Sequence, residues 1–435
     1  MELNFEHSHD AAMELHQAGE HLKAFQELKR VMEYPGFMHG DGEWAKGWHL
    51  LGSIAGAMGF ERLSQLAIRA GDNPHDPKLL YNLGYELIEV QLPKVAATPL
   101  NQAHLMCPTN EAILSELSTA FENAGCYDLA YMNLCSCEAV LEESYMCRYL
   151  LAFNAIMCGQ LEASRDAFGK LGDPPDENYA FMRDRIGMFL DRAKALESMG
   201  RLGKCDLRGW HHVLSGSVLL HLSPYGFDKP MRGRYAYRQD SVESVREGIE
   251  RVRATLCTWG EKVEQVVYWT DRDSEVLARA YGELEGLPVL SWEEAGANAA
   301  GLFVAYDLSE VSPEFLQAVQ DRLPGQRLWA HALQWTVDFP VAADFHTFMH
   351  QHNKAPWSET CMSFDPETGE MLVGPSKRCD VESLVEEVLE AEIEANPVDE
   401  LECFLEFVQA VGPPPSEGKR SKYFHGSPVC SNRFE

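Results

Sequence analysis

At 435 residues the chain is longer than one ordinary hydrophobic core, so two or three domains are expected. Apolar content of 45% and aromatic content of 10% are those of a folded globular protein. A formal charge of −30 argues against general binding of nucleic acid or of an anionic membrane surface, since both ligands are themselves negative. The start is acidic, with Glu2 and Glu6, where a signal peptide would be basic. No apolar run nears the roughly 18 residues of a spanning helix, so a soluble, cytoplasmic protein is expected. The 12 cysteines are scattered, as suits a reducing compartment where Cys packs as a small apolar residue. Cys135 and Cys137 lie two apart, about 200° around a helix, which is poor geometry for one metal and leaves core packing as their role.

The first half carries helical spacing in successive pairs. Residues 7–31 form a first hairpin, with Ala11, Ala12 and Leu15 on one helix, Gly19 at the turn, and Ala24, Leu28 and Val31 on the other. Residues 35–41 insert a glycine-containing loop. A second hairpin begins at Trp48, Leu51 and Gly52 and turns at Gly59. The third, over residues 80–108, is the clearest: Leu80, Leu83, Gly84 and Leu87, then Ala96, Leu100, Ala103 and Pro108. A fourth uses Leu114, Leu117, Phe121, Gly125, Ala130 and Leu134, and a fifth Leu151, Ala152, Ala155, Gly159 and Phe168. Leu80 to Leu114 and Gly125 to Gly159 are each 34 residues. Residues 178–200 predict a longer, more charged helix that caps the series.

This pattern resembles the tetratricopeptide repeat, whose helical hairpins follow W-x2-L-G-x2-Y, A-x3-F, P. The resemblance implies an α-solenoid with a groove that docks a protein or peptide partner.

From residue 213 the pattern changes to strands alternating with helices. Strands are expected at 213–222, 263–269, 287–292, 301–306 and 326–335, and helices at 241–259, 270–285 and 313–322. Such alternation means a mostly parallel sheet covered on both faces, with a ligand beyond the carboxyl ends of its strands. Residues 270–274 and 307–312 fall at that place.

The run 263–335, with VVYWTDRDSEVLARAYGELEGLPVLSW and GLFVAYDLSE, is similar to the central part of a type I phosphoribosyltransferase. That family follows an apolar strand with two acids and a Thr/Ser/Gly-rich loop that grips ribose and phosphates. Here Asp307 is followed by Leu308, Ser309, Glu310, Val311 and Ser312, so the second acid and the glycine are missing. The resemblance therefore implies a degenerate, non-catalytic member. If transfer does occur, Asp307 and Ser309 would meet ribose and phosphate, with Mg²⁺ as the companion ion; otherwise no cofactor is expected.

Three groups of residues are candidates for chemistry. Lys229, Arg232, Arg234 and Arg238 place four cations in ten residues of an acidic chain and suit phosphate or carboxylate recognition. Asp271, Arg272, Asp273 and Ser274 stand at a helix start, either capping it or meeting an anion. Asp344, His346, His350 and His352 include a His-x3-His pair that would share one helical face and could hold a metal, although no third ligand is identifiable; a polar helix face is the plain alternative.

Toward the end, Asp365, Pro366 and Gly369 predict a turn between short strands. Residues 380–406 then hold eleven acids and no Lys or Arg, as two helices with a solvated acidic face. Three prolines at 413–415 introduce a tail with Lys419, Arg420, Lys422 and Arg433, disordered or folded back on the acidic helices.

The expected fold class is multidomain α and α/β: an α-solenoid of helical hairpins over 1–200, a mostly parallel α/β sheet domain over 205–360, a hairpin with acidic helices over 361–411, and a tail over 412–435. The expected function is a protein-interaction scaffold. Its α/β domain would hold a small phosphate-bearing anion through Arg232, Arg234 and Arg238, with Asp271, Ser274, Asp307 and Ser309 at the strand ends. The alternatives are a phosphoribosyl-transfer enzyme and a metal-dependent hydrolase using His346 and His350.

Overall fold

Apolar residues three and four apart give helices first, and the structure follows that spacing closely. In this computed structural model the described residues are 4–36, 38, 40–222, 240–358, 362–364, 371–373, 380–393, 396 and 398–429. The chain divides into two compact units, Met1–Gly187 and Met188–Glu435.

The first unit is built from α1 (Phe5–Gln17), α2 (His21–Met32), α3 (Asp41–Ala57), α4 (Glu61–Asp72), α5 (Pro77–Glu89) and α6 (Pro93–Met106). It continues through α7 (Glu111–Asn123), α8 (Tyr127–Cys135), α9 (Glu138–Glu143), α10 (Tyr145–Met157) and α11 (Leu161–Leu171) into α12 (Glu177–Ser198), which runs through the unit boundary. From α1 to α11 each helix packs on its neighbour in sequence. The expected turns are made by Gly19, Gly59, Gly125 and Gly159, whose φ values of 81°, 86°, 72° and 72° a side chain would strain. Asn4, Asp76, Asn110 and Ser144 cap α1, α5, α7 and α10 through their side chains. Leu28, Trp48, Leu80, Leu83, Leu87, Leu100 and Leu117 are fully buried. Gly84 shows why a small residue stands in α5: a Cβ there would lie 2.4 Å from Leu100 Cγ of α6. The short α9, with Val140 buried, falls between the fourth and fifth hairpins and was not expected from the spacing.

The second unit contains α13 (Leu207–Ser215), β1 (Val218–Leu219), α14 (Val242–Trp259), β2 (Val266–Tyr268), α15 (Arg272–Glu285), β3 (Val289–Ser291) and α16 (Trp292–Ala295). After these come β4 (Gly301–Asp307), α17 (Pro313–Ala318), β5 (Asp321–Arg322), β6 (Gln326–Gln334) and β7 (Phe345–His350). The chain then forms β8 (Met362–Phe364), β9 (Met371–Val373), α18 (Val381–Glu390), α19 (Leu401–Val411) and β10 (Gly418–Lys419). Six strands make a sheet in the order β1-β7-β6-β4-β2-β3, every pair parallel. The hairpin expected around 365–369 is β8–β9, an antiparallel pair whose intervening residues lie outside the described set.

Four sequence expectations need correction. The run 213–222 is not one strand: Gly216 ends α13 in a left-handed conformation, and only Val218–Leu219 pair as β1. The helix expected over 313–322 stops at Ala318, and Asp321–Arg322 pair with β10. His346 and His350 lie on a strand, not a helix face. Every residue of β7 is buried, as a central parallel strand requires, and an i, i+4 pair shares a face in either structure. Among the described tail residues the pairing is not with the acidic helices: Gly418 and Lys419 pair with β5, and Phe339 bridges Tyr423.

Candidate functional site

Beside each other in the sheet, β2 leads on to β3 at one side and β4 leads on to β6 at the other. In open parallel sheets ligands usually sit beyond the carboxyl ends of two such neighbouring strands. The segments leaving β2 and β4 here are 269–274 and 308–312.

At the β2 side, Asp271 is the N-cap of α15. Its carboxylate accepts from the Ser274 backbone N–H at 2.7 Å and from the Ser274 hydroxyl at 2.8 Å. Ser274 Oγ accepts in turn from the Tyr306 backbone N–H at 2.9 Å, tying α15 to β4. Burial raises the Asp271 carboxyl above its ordinary value, and Asp273 beside it adds to the effect. The Thr270 hydroxyl donates to Glu293.

At the β4 side, Asp307 and His350 meet across the sheet. His350 Nε2 lies 2.8 Å from Asp307 Oδ2, while Asp307 Oδ1 accepts from the Ser309 N–H and hydroxyl, each at 2.8 Å. Burial alone would raise this carboxyl, but His350 and Ser309 outweigh it and hold it below its usual value. Strand register places Asp307 and His350 on one face of the sheet and Tyr306 and His331 on the other.

On that second face stands a network in which the sequence reading singled out no residue. Asp240 Oδ2 accepts from the Tyr306 hydroxyl at 2.6 Å and lies 3.0 Å from His331 Nε2; the Ser244 hydroxyl donates to Oδ1. Asn353 Nδ2 donates to the Tyr306 oxygen at 3.0 Å, and the Asp240 N–H donates to Asn353 Oδ1 at 3.2 Å. Burial would raise Asp240, yet His331, Ser244 and Tyr306 keep its carboxyl low. Burial and Asp240 together raise the Tyr306 phenol. In both networks a carboxylate fixes one imidazole nitrogen, and the other, Nδ1, meets no hydrogen-bond partner among the described residues. The signal that could have found this network is a histidine, His331, inside the apolar run of β6.

The segment after β7 crosses these strand ends. The Trp357 indole N–H donates to Asp273 Oδ1 at 2.7 Å, and Arg272 Nη2 donates to the Trp357 carbonyl at 2.9 Å. The Trp357 and Tyr306 rings stand 6.3 Å apart at 63°.

The remaining candidates fall elsewhere. Lys229, Arg232, Arg234 and Arg238 lie outside the described residues, in the segment that ends just before Asp240. His346 Nδ1 meets His211 Nε2 at 3.0 Å, and burial lowers the His346 imidazole to about 3, so it stands neutral. Asp344 faces the opposite, amino end of the strands. It accepts from Arg322, from Arg420 Nη2 at 3.0 Å and from the Leu328 N–H at 2.8 Å. Among the described residues no group of three or more His, Cys, Asp or Glu is placed to hold a metal.

No protein-family model matches the chain, and no curated protein matches it. Among solved structures, MamA AMB-1 is 20% identical over 38% of this chain and 95% of its own, with a TM-score of 0.24. A second MamA AMB-1 structure is 19% identical over 40% of this chain and 97% of its own, with a TM-score of 0.25. MamA MSR-1 is 18% identical over 38% of this chain and 94% of its own, with a TM-score of 0.24.

Proposed function

We propose that the chain is a cytoplasmic protein-interaction scaffold. In this reading the first unit is a tetratricopeptide-like solenoid that docks a protein or peptide, and the α/β unit holds a small phosphate-bearing anion without turning it over. The observation that carries the scaffold reading is the order of packing: α1 to α11 form hairpins, each helix resting on the next. Stacked hairpins present long surfaces rather than one enclosed pocket. Large apolar side chains stand in solvent on this unit, with Leu22, Leu105 and Met132 at 59%, 73% and 64% exposure.

The ligand reading is supported by the reversal of strand order between β2 and β4, whose carboxyl ends are the usual ligand place in such sheets, and by Arg272 at the end of β2. The segment that holds Arg232, Arg234 and Arg238 would supply the rest of the positive charge. A non-catalytic role is supported by the loop after β4, where Ser309 is spent on Asp307 and Glu310 would repel a phosphate.

Two experiments on the full chain test the halves separately. In affinity capture with mass spectrometry, a protein retained by the wild type should be lost with Leu105→Asp and Met132→Asp; undiminished retention by both variants sinks this surface as the docking face. In a thermal-shift screen against phosphoribosyl pyrophosphate, nucleotides and inorganic phosphate, with and without Mg²⁺, a ligand of the folded state raises the melting temperature. No shift with any of them would end the ligand reading. Turnover of phosphoribosyl pyrophosphate would favour the transferase instead.

A further inference from the structure

At the amino end of the sheet the second unit gathers more positive charge than its own carboxylates match. Asp344 accepts from Arg322 of β5 and from Arg420 of the C-terminal segment, and all three are buried, at 2%, 7% and 5% exposure. Arg192 of α12 reaches the residue next to Arg420, and its partners are all neutral: the Ser421 hydroxyl at 2.8 Å, the Met188 thioether at 3.1 Å and the Val213 carbonyl at 3.3 Å. Val213 lies in the last turn of α13, so its carbonyl brings a helix end's partial charge and not a full counter-ion. Burial and the neighbouring Arg322 charge lower the Arg192 guanidinium to about 10 from an ordinary 12.5, with no carboxylate acting against them. Arg322 Nε meets no hydrogen-bond partner among the described residues. The acids nearby do not make up the difference. Glu261 is taken by Arg327, and Asp191 and Asp321 are exposed and form no ion pair among the described residues.

We propose that Arg192, with Arg322 and Arg420 behind it, binds a small oxyanion of the phosphate class at the amino end of the sheet. Three guanidiniums here face one carboxylate, and a guanidinium taken out of water without a full counter-charge is costly. An oxyanion supplies that charge and accepts two parallel N–H bonds from one guanidinium. It arrives from solvent, because Arg192 is only half-buried while Arg322, Arg420 and Asp344 are buried. Lys419 and Lys422, exposed on either side of Arg420 in sequence, add to the local positive potential in a chain whose formal charge is −30. This site is at the opposite end of the strands from Arg272 and does not depend on the ligand reading given above.

Thermal unfolding of the full chain in inorganic phosphate, against chloride at the same ionic strength, tests this. It is read in the Arg272→Ala background, so that an anion held at the strand carboxyl ends drops out and the two readings fail separately. There, phosphate should raise the melting temperature of the second unit above its value in chloride. Adding Arg192→Gln should abolish that rise. Adding Arg192→Lys, which keeps the charge and loses the fork, should keep the rise but require roughly tenfold more phosphate. No rise in the Arg272→Ala protein would overturn the proposal. A rise that survives Arg192→Gln undiminished would overturn it too, since phosphate would then act only through its general exclusion from protein surface.

Discussion

Glu122 of α7 is a carboxylate whose environment changes its charge. One carboxylate oxygen accepts from Asn154 Nδ2 at 2.5 Å, and burial raises its carboxyl to about 7. Because the folded value stands above the ordinary 4.5, the unfolded chain loses this proton first as pH rises. Stability is therefore lost between pH 4.5 and about 7, a window in which the fold keeps a proton that the unfolded chain has given up. Glu122→Gln keeps an acceptor for Asn154 and removes the charge. It should raise stability at pH 8 by roughly 2 kcal/mol and change little at pH 5, measured by urea unfolding at both. Gly84 makes a steric prediction. A methyl group placed 2.4 Å from buried Leu100 Cγ must push α5 and α6 apart, so Gly84→Ala should cost about 1–3 kcal/mol despite its better helix propensity. An unchanged or raised melting temperature would show that Leu100 can repack.

At the scale of elements, two buried carboxylates join segments far apart in sequence. Asp344, just before β7, gathers Arg322 of β5 and Arg420 of the C-terminal segment, and Arg420 also donates to the Val319 carbonyl at 2.7 Å. Burial opposes the charge of Asp344, but Arg420, Arg322 and Arg327 outweigh it and hold the carboxyl low. Asp399 does the same for the acidic region: Arg208 forks onto both its oxygens at 2.8 Å, and Arg251 stands 3.2 Å away. Removing one member leaves the others charged, buried and unmatched, which costs more than the pair contributes. Asp344→Ala should destabilise the second unit by about 3–5 kcal/mol. Limited proteolysis should then cut the segment after Val411 early; a protected tail would mean that β10 and Tyr423 hold it without the ion cluster.

At the scale of the whole molecule, each unit has its own core, and two cores predict two cooperative transitions on heating. Burial lowers His212 and His346 of the second unit to about 3 from an ordinary 6.5. As pH falls through that window the unfolded chain takes up protons that the fold refuses, so stability is lost from pH 6.5 downward. Between pH 7 and 5 the transition of 188–435 should move down while that of 1–187 moves up through Glu122. Calorimetry of wild type and Asp344→Ala assigns the two peaks, because the substitution should shift only the second. One peak moving as a whole would mean a single cooperative unit.

The sequence by itself determined the helical hairpins, since apolar spacing and turn glycines act within a few residues of one another. It also determined the α15 cap, because Asp271 and Ser274 satisfy N–H groups one turn away. The parallel sheet was legible as alternation, and with it the positions of its strand ends. Only tertiary structure decided that His346 and His350 stand on a strand, because a four-residue spacing fits both periodicities and burial on every side chooses between them. The same holds for the partners of the buried charges. Asp240 and His331, Asp307 and His350, Asp344 and Arg420 are 91, 43 and 76 residues apart. Nothing local marks such pairs. They exist because a charge taken out of water is stable only beside a partner, and the order of strands in the sheet decides which partner is there.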